Sequence, residues 1–174
     1  MKAICLIPFA LMMIVGCKTD KTDPSGATSN TGTDRSDSPN RTYHLKDLEK
    51  VKLKVSGQDI PVWVMDDEGK RKEGMMWLTA DDVADHDGMI FAFPDVQPPS
   101  NGFWMSNTIL ALDIIYISPK MKVLNIQEGR PHDETSLPSK GDYQFVLEMK
   151  QGGAEKFGIK PGTEIAIPAT VKGK

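Results

Sequence analysis

The chain has 174 residues, with 21 Lys and Arg against 24 Asp and Glu, a net charge of −3 and 39% hydrophobic residues. This mild acidity lacks the basic surface that nucleic-acid binding requires, and the length suits one core of ordinary size with room for flanking segments. Both cysteines, Cys5 and Cys17, lie near the start, so the rest of the chain can form neither a disulfide nor a thiolate metal site.

Residues 1–16 read as a leader. Lys2 gives a positive start, and Ala3 to Gly16 is an uncharged, largely apolar run that stops at Cys17. The run is too short to span a bilayer, which takes about 20 apolar residues, but it fits the apolar middle of a secretory signal peptide. Ile14-Val15-Gly16-Cys17 resembles the lipobox of bacterial lipoproteins. That resemblance implies cleavage before Cys17, acylation of its sulfur and a membrane partner through the acyl chains. Because Lys18, and not aspartate, follows the cysteine, the expected address is the outer membrane, facing the periplasm or the surface.

After Cys17, residues 18–42 are almost entirely Ser, Thr, Asp, Asn, Gly, Pro, Lys and Arg, with Ala27 alone apolar. Such a segment has nothing to bury against the entropy of ordering it. It reads as a disordered tether, a coil with ends about 25–30 Å apart. Lys18, Lys21, Arg35 and Arg41 are matched by Asp20, Asp23, Asp34 and Asp37, so the tether is neutral rather than polybasic.

Residues 43–174 form the expected single domain. Val51-Lys52-Leu53-Lys54-Val55 alternates strictly, Ser56 to Asp59 reads as a turn, and Ile60, Val62 and Val64 resume the alternation, which predicts a hairpin. Asp66-Asp67 is a helix N-cap signal for a helix running through Lys70 to about Met76. Further strands are predicted at 89–93, 102–106, 112–118, 121–127, 143–149 and 163–168, with Pro119-Lys120 as a tight turn. A second short helix is predicted over 153–157, ending at Gly158. The class is mainly β, an antiparallel sandwich or partly closed barrel with two short helices.

Six segments carry a family likeness. They are Glu73-Gly74-Met75-Met76, the run from Gly88 to Pro94, Phe103-Trp104-Met105-Ser106-Asn107-Thr108, Leu112-Asp113-Ile114, Val146-Leu147-Glu148 and Gly158-Ile159-Lys160-Pro161-Gly162. In order and spacing they resemble the bacterial and archaeal domain-of-unknown-function family 192 over almost all of residues 51–168. Ala111 stands where that family usually has proline, and Met75 where leucine is common. The resemblance implies a compact, largely β fold and no particular activity.

Candidate functional residues follow from the strand pattern. Asp113 shares a face with Ile115 and Ile117, so it is either a desolvated functional carboxylate or, as we favour, an acceptor for the Asn107-Thr108 turn. Trp104 alternates with Phe103 and Met105. Packed on both faces it is core, which is the commoner fate of tryptophan; exposed, it offers an aromatic plane beside Asn107 and Thr108 for a glycan or peptide. Glu148 shares a face with Val146 and is expected to be solvated. The alternative pairs it with Asp113 for glycan cleavage, at separations of about 5–10 Å. His44, His86 and His132 have no metal-ligand spacing, and no nucleophile elbow or phosphate loop occurs. No metal or cofactor is expected.

These readings make the leading expectation a lipid-anchored envelope protein whose domain binds a wall, glycan or protein ligand without catalysis. The alternatives are an envelope hydrolase using Asp113 and Glu148, and a protein-docking scaffold.

Overall fold

The computed structural model describes residues 37–174. The leader, Cys17 and most of the expected tether lie outside the described residues. Seven strands follow in order: β1 (Lys50–Val55), β2 (Gln58–Met65), β3 (Gly88–Gln97), β4 (Leu112–Ile117), β5 (Val123–Gly129), β6 (Tyr143–Lys150) and β7 (Ile165–Ala166). Two short helices, α1 (Glu68–Glu73) and α2 (Gly153–Lys156), interrupt them, and a 3-10 turn covers Leu45–Asp47.

The β1–β2 hairpin closes on a two-residue turn, Ser56-Gly57, both at positive φ (49° and 83°). That geometry matches the twist of the flanking strands, and it is tighter than the four-residue turn expected from sequence. Asp67 caps α1 by accepting from the Lys70 N–H at 2.9 Å, and the helix ends at Gly74, two residues earlier than expected.

All seven strands join one sheet in the order β5-β4-β6-β3-β2-β1-β7. The two edges approach at one end through the Lys122–Glu164 bridge and bonds from Val123 N to Thr163 O and Ile165 N to Met121 O, both 2.9 Å. The result is a curled half-barrel, so the barrel limb of the expectation holds and the sandwich limb does not. The sheet is also not wholly antiparallel, because β2 and β3 run parallel. A crossover makes this possible: α1 and residues 74–87 carry the chain back to the starting end before β3 begins.

The expected strand at 102–106 does not form. Phe103 makes a single bridge to Leu137, and the Met105 N–H already leaves that register to donate to Asp133 O at 2.9 Å.

Both faces of the sheet are covered. The concave face holds Leu53, Val62, Ile90, Ile115, Leu147 and Met149, packed with Phe157 and Ile159 from the α2 region. On the other face Met65, Met89, Phe91, Ile114, Tyr116 and Val146 pack with Met75, Leu78, Val83, Met105 and Leu110 from the long loops. Central strands buried on both sides lose their alternation, which is why every residue of β4 is buried. No helix among the described residues is long and apolar enough to cross a membrane.

Residues 37–42 are packed on this domain. Asp37 and Arg41 are 5% and 4% exposed, so the ordered unit begins before Tyr43, and the end of the expected tether is part of the fold.

Candidate ligand-binding site

On the loop-covered face a cavity of about 460 Å³ opens between α1, the segment after it, β3, β6 and the loop around Trp104. Aromatic side chains dominate its walls: Phe91 and Phe93 from β3, Phe103 and Trp104 from the loop, and Tyr143 from β6. The rings meet edge to face, Phe91 and Phe103 with centroids 5.0 Å apart and Phe93 and Tyr143 at 5.6 Å. Such contacts contribute about 0.5–1.5 kcal/mol beyond area burial, which makes the walls rigid. Tyr143 and Tyr116 donate their hydroxyls to the carbonyls of Asn101 and Leu137, so neither phenol has a proton left to donate to a ligand. Burial pushes Tyr143 up to about 12 and Tyr116 higher still, which keeps both neutral.

Glu148 reaches this cavity from β6, where it sits opposite Met89 of β3 and Ile114 of β4. It is 5% exposed, and its Oε2 has no hydrogen-bond partner. Burial raises its pKa to about 8, against opposing pulls from the Arg41 charge and the Met75 backbone N–H. At neutral pH the carboxyl is therefore mostly protonated. Gly74 allows the chain to pass this close: it sits at φ 47°, and a Cβ there would lie 3.0 Å from Phe91 Cζ and 3.6 Å from Glu148 Oε2.

Arg41 holds that segment in place. Its Nη1 donates to the carbonyls of Gly74 (2.8 Å) and Met76 (2.6 Å). Glu73 in turn accepts from the N–H groups of Thr42 (2.7 Å) and Tyr43 (3.0 Å), and Asp37 accepts from the Leu45 N–H (2.7 Å). Both carboxylates also pair with the Arg41 guanidinium, at 3.2 Å for Glu73 and 3.6 Å for Asp37. A guanidinium fork bridging several oxygens suits this task better than an ammonium would.

The residues singled out from sequence are dispersed. Trp104 is 57% exposed and lines the cavity, against the expectation of a core residue. Thr108 also lines it, but its hydroxyl donates to Ser106 O at 3.1 Å. Asn107 is exposed, with φ 53°, and its carbonyl accepts from the Trp77 N–H at 2.9 Å. It belongs to the turn and not to the lining. Asp113 lies on the concave face, where Oδ2 accepts from the Ala154 N–H at 2.9 Å. Its expected partner was the Asn107-Thr108 turn; the start of α2 takes that place.

Asp113 pairs with Met149 across the β4–β6 ladder, while Glu148 pairs with Ile114. The two carboxylates are one register step apart and therefore point to opposite faces. They cannot share a substrate, and the expected solvation of Glu148 is also corrected. Among the described residues no three His, Cys, Asp or Glu side chains gather as a metal-holding group. Sequence reading missed Arg41, Glu73, Phe91 and Phe93 as parts of the site.

Fold and site together define a small, mainly β domain with a buried carboxyl group, one oxygen of which has no partner, in an aromatic cavity. The chain belongs to the family DUF192, described as Uncharacterized ACR, COG1430, whose model matches residues 51–167. It is similar to the crystal structure of a protein of unknown function from Novosphingobium aromaticivorans DSM 12444, at 33% identity and a TM-score of 0.62, over 71% of this chain and 89% of that one. It is also similar to the structure of a candidate transcription regulator from Sinorhizobium meliloti 1021, at 29% identity and a TM-score of 0.60, over 67% of this chain and 91% of that one. No functionally curated protein matches the chain.

Proposed function

We propose that this protein is a non-catalytic binding module held at the bacterial envelope by acyl chains on Cys17. The observation that carries the binding half is Trp104, a large aromatic left 57% exposed beside a cavity whose inner end presents an unpaired polar atom. Buried polar groups normally have partners, and exposed aromatic surface beside a cavity favours ligand contact. The envelope half rests on the leader and on the lipobox-like Ile14 to Cys17. Palmitate labelling that is lost in Cys17→Ala tests it directly.

A thermal-shift screen of the purified protein against wall fragments, oligosaccharides, divalent metals and nucleotides tests the binding half. A ligand at 100 times its Kd adds about 2.7 kcal/mol of stability. That corresponds to a midpoint shift of several degrees in a domain of this size. No shift across the panel would move the reading to the docking scaffold. The hydrolase built on Asp113 and Glu148 is not favoured, because the two groups face different sides of the sheet.

A further inference from the structure

We propose that the cavity takes an organic cation, with an alkylammonium group among Phe91, Phe103 and Trp104 and its charge set against Oε2 of Glu148. This rests on the binding-module reading and gives it a ligand class.

Most charged side chains near the cavity are already engaged. Arg71 donates to three carbonyls, those of Asp66 (2.7 Å), Ala92 (2.9 Å) and Lys174 (3.1 Å), and lies over the Phe93 ring. Glu73 is held by Arg41 and two backbone N–H groups. Glu68 and Lys72 on α1 line the cavity with opposite charges that offset each other. Glu148 Oε2 is the only fully buried side-chain N or O atom without a partner among the described residues.

Arg41 is the charge that acts on Glu148, and it favours the ionised carboxylate that a cation would meet. Arg41 is paired with two carboxylates, Asp37 and Glu73, and Asp37 also pairs with His44, so Arg41 brings no unmatched positive charge to the cavity. Tyr116 and Tyr143 are neutral, and Met89, Phe91 and Ile114 bring no charge from β3 and β4. An anionic ligand would be repelled by the ionised Glu148. Aromatic rings attract cations through their quadrupole, more strongly where water is excluded. A buried carboxylate beside aromatic walls is thus complementary to an ammonium group in both shape and charge.

The rival occupant is a neutral ligand whose carbonyl or hydroxyl accepts a proton from the protonated Glu148. pH separates the two. A cation pairs with the ionised carboxylate, so its affinity rises about tenfold per pH unit up to the Glu148 pKa of about 8, then levels off. A neutral acceptor binds the protonated form, so its affinity is flat below that point and falls above it.

The test is a titration of the purified protein, followed by Trp fluorescence and NMR, with benzyltrimethylammonium, benzyl alcohol and benzoate at pH 6.5, 7.5 and 8.5. The first probe carries a charge that does not titrate. The expected result is cation binding about tenfold tighter at pH 7.5 than at pH 6.5, weakened at least tenfold at pH 8.5 by Glu148→Gln, with benzyl alcohol unaffected by the substitution. Should Glu148→Gln fail to fold, the wild-type pH profile decides alone. Cation affinity that is flat with pH, or weaker than that of benzyl alcohol at pH 8.5, would overturn the proposal. Binding of benzyl alcohol with the cation silent removes the ligand class and leaves the binding module standing. Silence of all three probes also removes the ligand class, while the wider ligand screen judges the module separately.

Discussion

Asp113 and Glu148 lie on neighbouring strands, one register step apart, at 6% and 5% exposure. One faces the closed concave core, the other the loop-covered side with its cavity. Burial raises both pKa values, but Asp113 has the N–H groups of Ala154 and Gly152 to hold its charge, whereas Glu148 has an oxygen with no partner. The pair separates two uses of a buried carboxylate. Asp113 is a structural acceptor that ties α2 to the sheet. Glu148 keeps a polar atom unsatisfied, and proteins retain such atoms where a ligand or a proton is to be met.

The largest expected effect tests the support behind Glu148. Arg41→Ala removes the donor to Gly74 and Met76 and leaves Asp37 and Glu73 without their shared cation. Breaking a buried ionic cluster costs about 3–5 kcal/mol, measured here by urea unfolding. It also removes a charge that favours ionised Glu148, so the carboxyl pKa should rise further, as read by NMR titration. A near-zero effect would mean that residues 37–42 are a dispensable arm and that the cavity wall stands without them.

Next comes the pH dependence, which separates Glu148 in sign and window from the carboxylates held by lysines. A carboxyl with folded pKa near 8 and unfolded pKa of 4.5 binds more protons in the native state between those values. Stability therefore falls as pH rises through that window, by about 1.4 kcal/mol per unit, and levels off above pH 8. The carboxylates whose pKa values are lowered by neighbouring lysines, such as Asp66 beside Lys70 and Lys174, act below pH 4 in the opposite direction. Thermal midpoints between pH 5 and 8.5 should show the decline in wild type and much less of it in Glu148→Gln, which should be the more stable protein at pH 8. Asp113, also raised by burial, acts in the same direction as Glu148.

How much of this was legible in sequence follows from the same contrast. The Val51–Val64 hairpin reads correctly because β1 and the start of β2 keep one wet face, so alternation survives there. The same rule hides the site: in Val146-Leu147-Glu148-Met149 and Leu112-Asp113-Ile114-Ile115 no polar face exists, so an isolated acid in an apolar run was itself the mark of a buried carboxylate. Reading Glu148 as solvated missed that mark. Arg41 and Asp37 were invisible for another reason: a buried ion cluster and a solvated linker have the same composition, and only the tertiary position of Glu73 tells them apart. The parallel β2–β3 pair left one trace, a 22-residue connection long enough for a crossover.

A smaller effect is expected on the concave side. Asp113→Ala leaves the Ala154 N–H without its acceptor in a buried site, a loss of about 1–3 kcal/mol. Unfolding equilibria should show this cost with ligand affinity unchanged, because nothing from Asp113 reaches the cavity. Asp113→Asn, which keeps an acceptor oxygen, should recover most of the loss. Altered affinity in either variant would mean that the two faces communicate and would break the comparison.

Trp104 should give the smallest change in stability and the largest in binding. More than half of its surface already meets solvent, so truncation forfeits little burial, and substitutions at such exposed sites are usually worth within about 0.5 kcal/mol. Its ring nevertheless lines the same cavity as Glu148. Trp104→Ala should therefore unfold at nearly the wild-type denaturant midpoint while losing any ligand that stabilises the wild type. A loss of several kcal/mol would instead make Trp104 a strut for the loop that carries Phe103, whose ring packs on Phe91, Phe93 and Tyr116. The aromatic wall would then belong to the core, and Glu148 alone would mark the binding face.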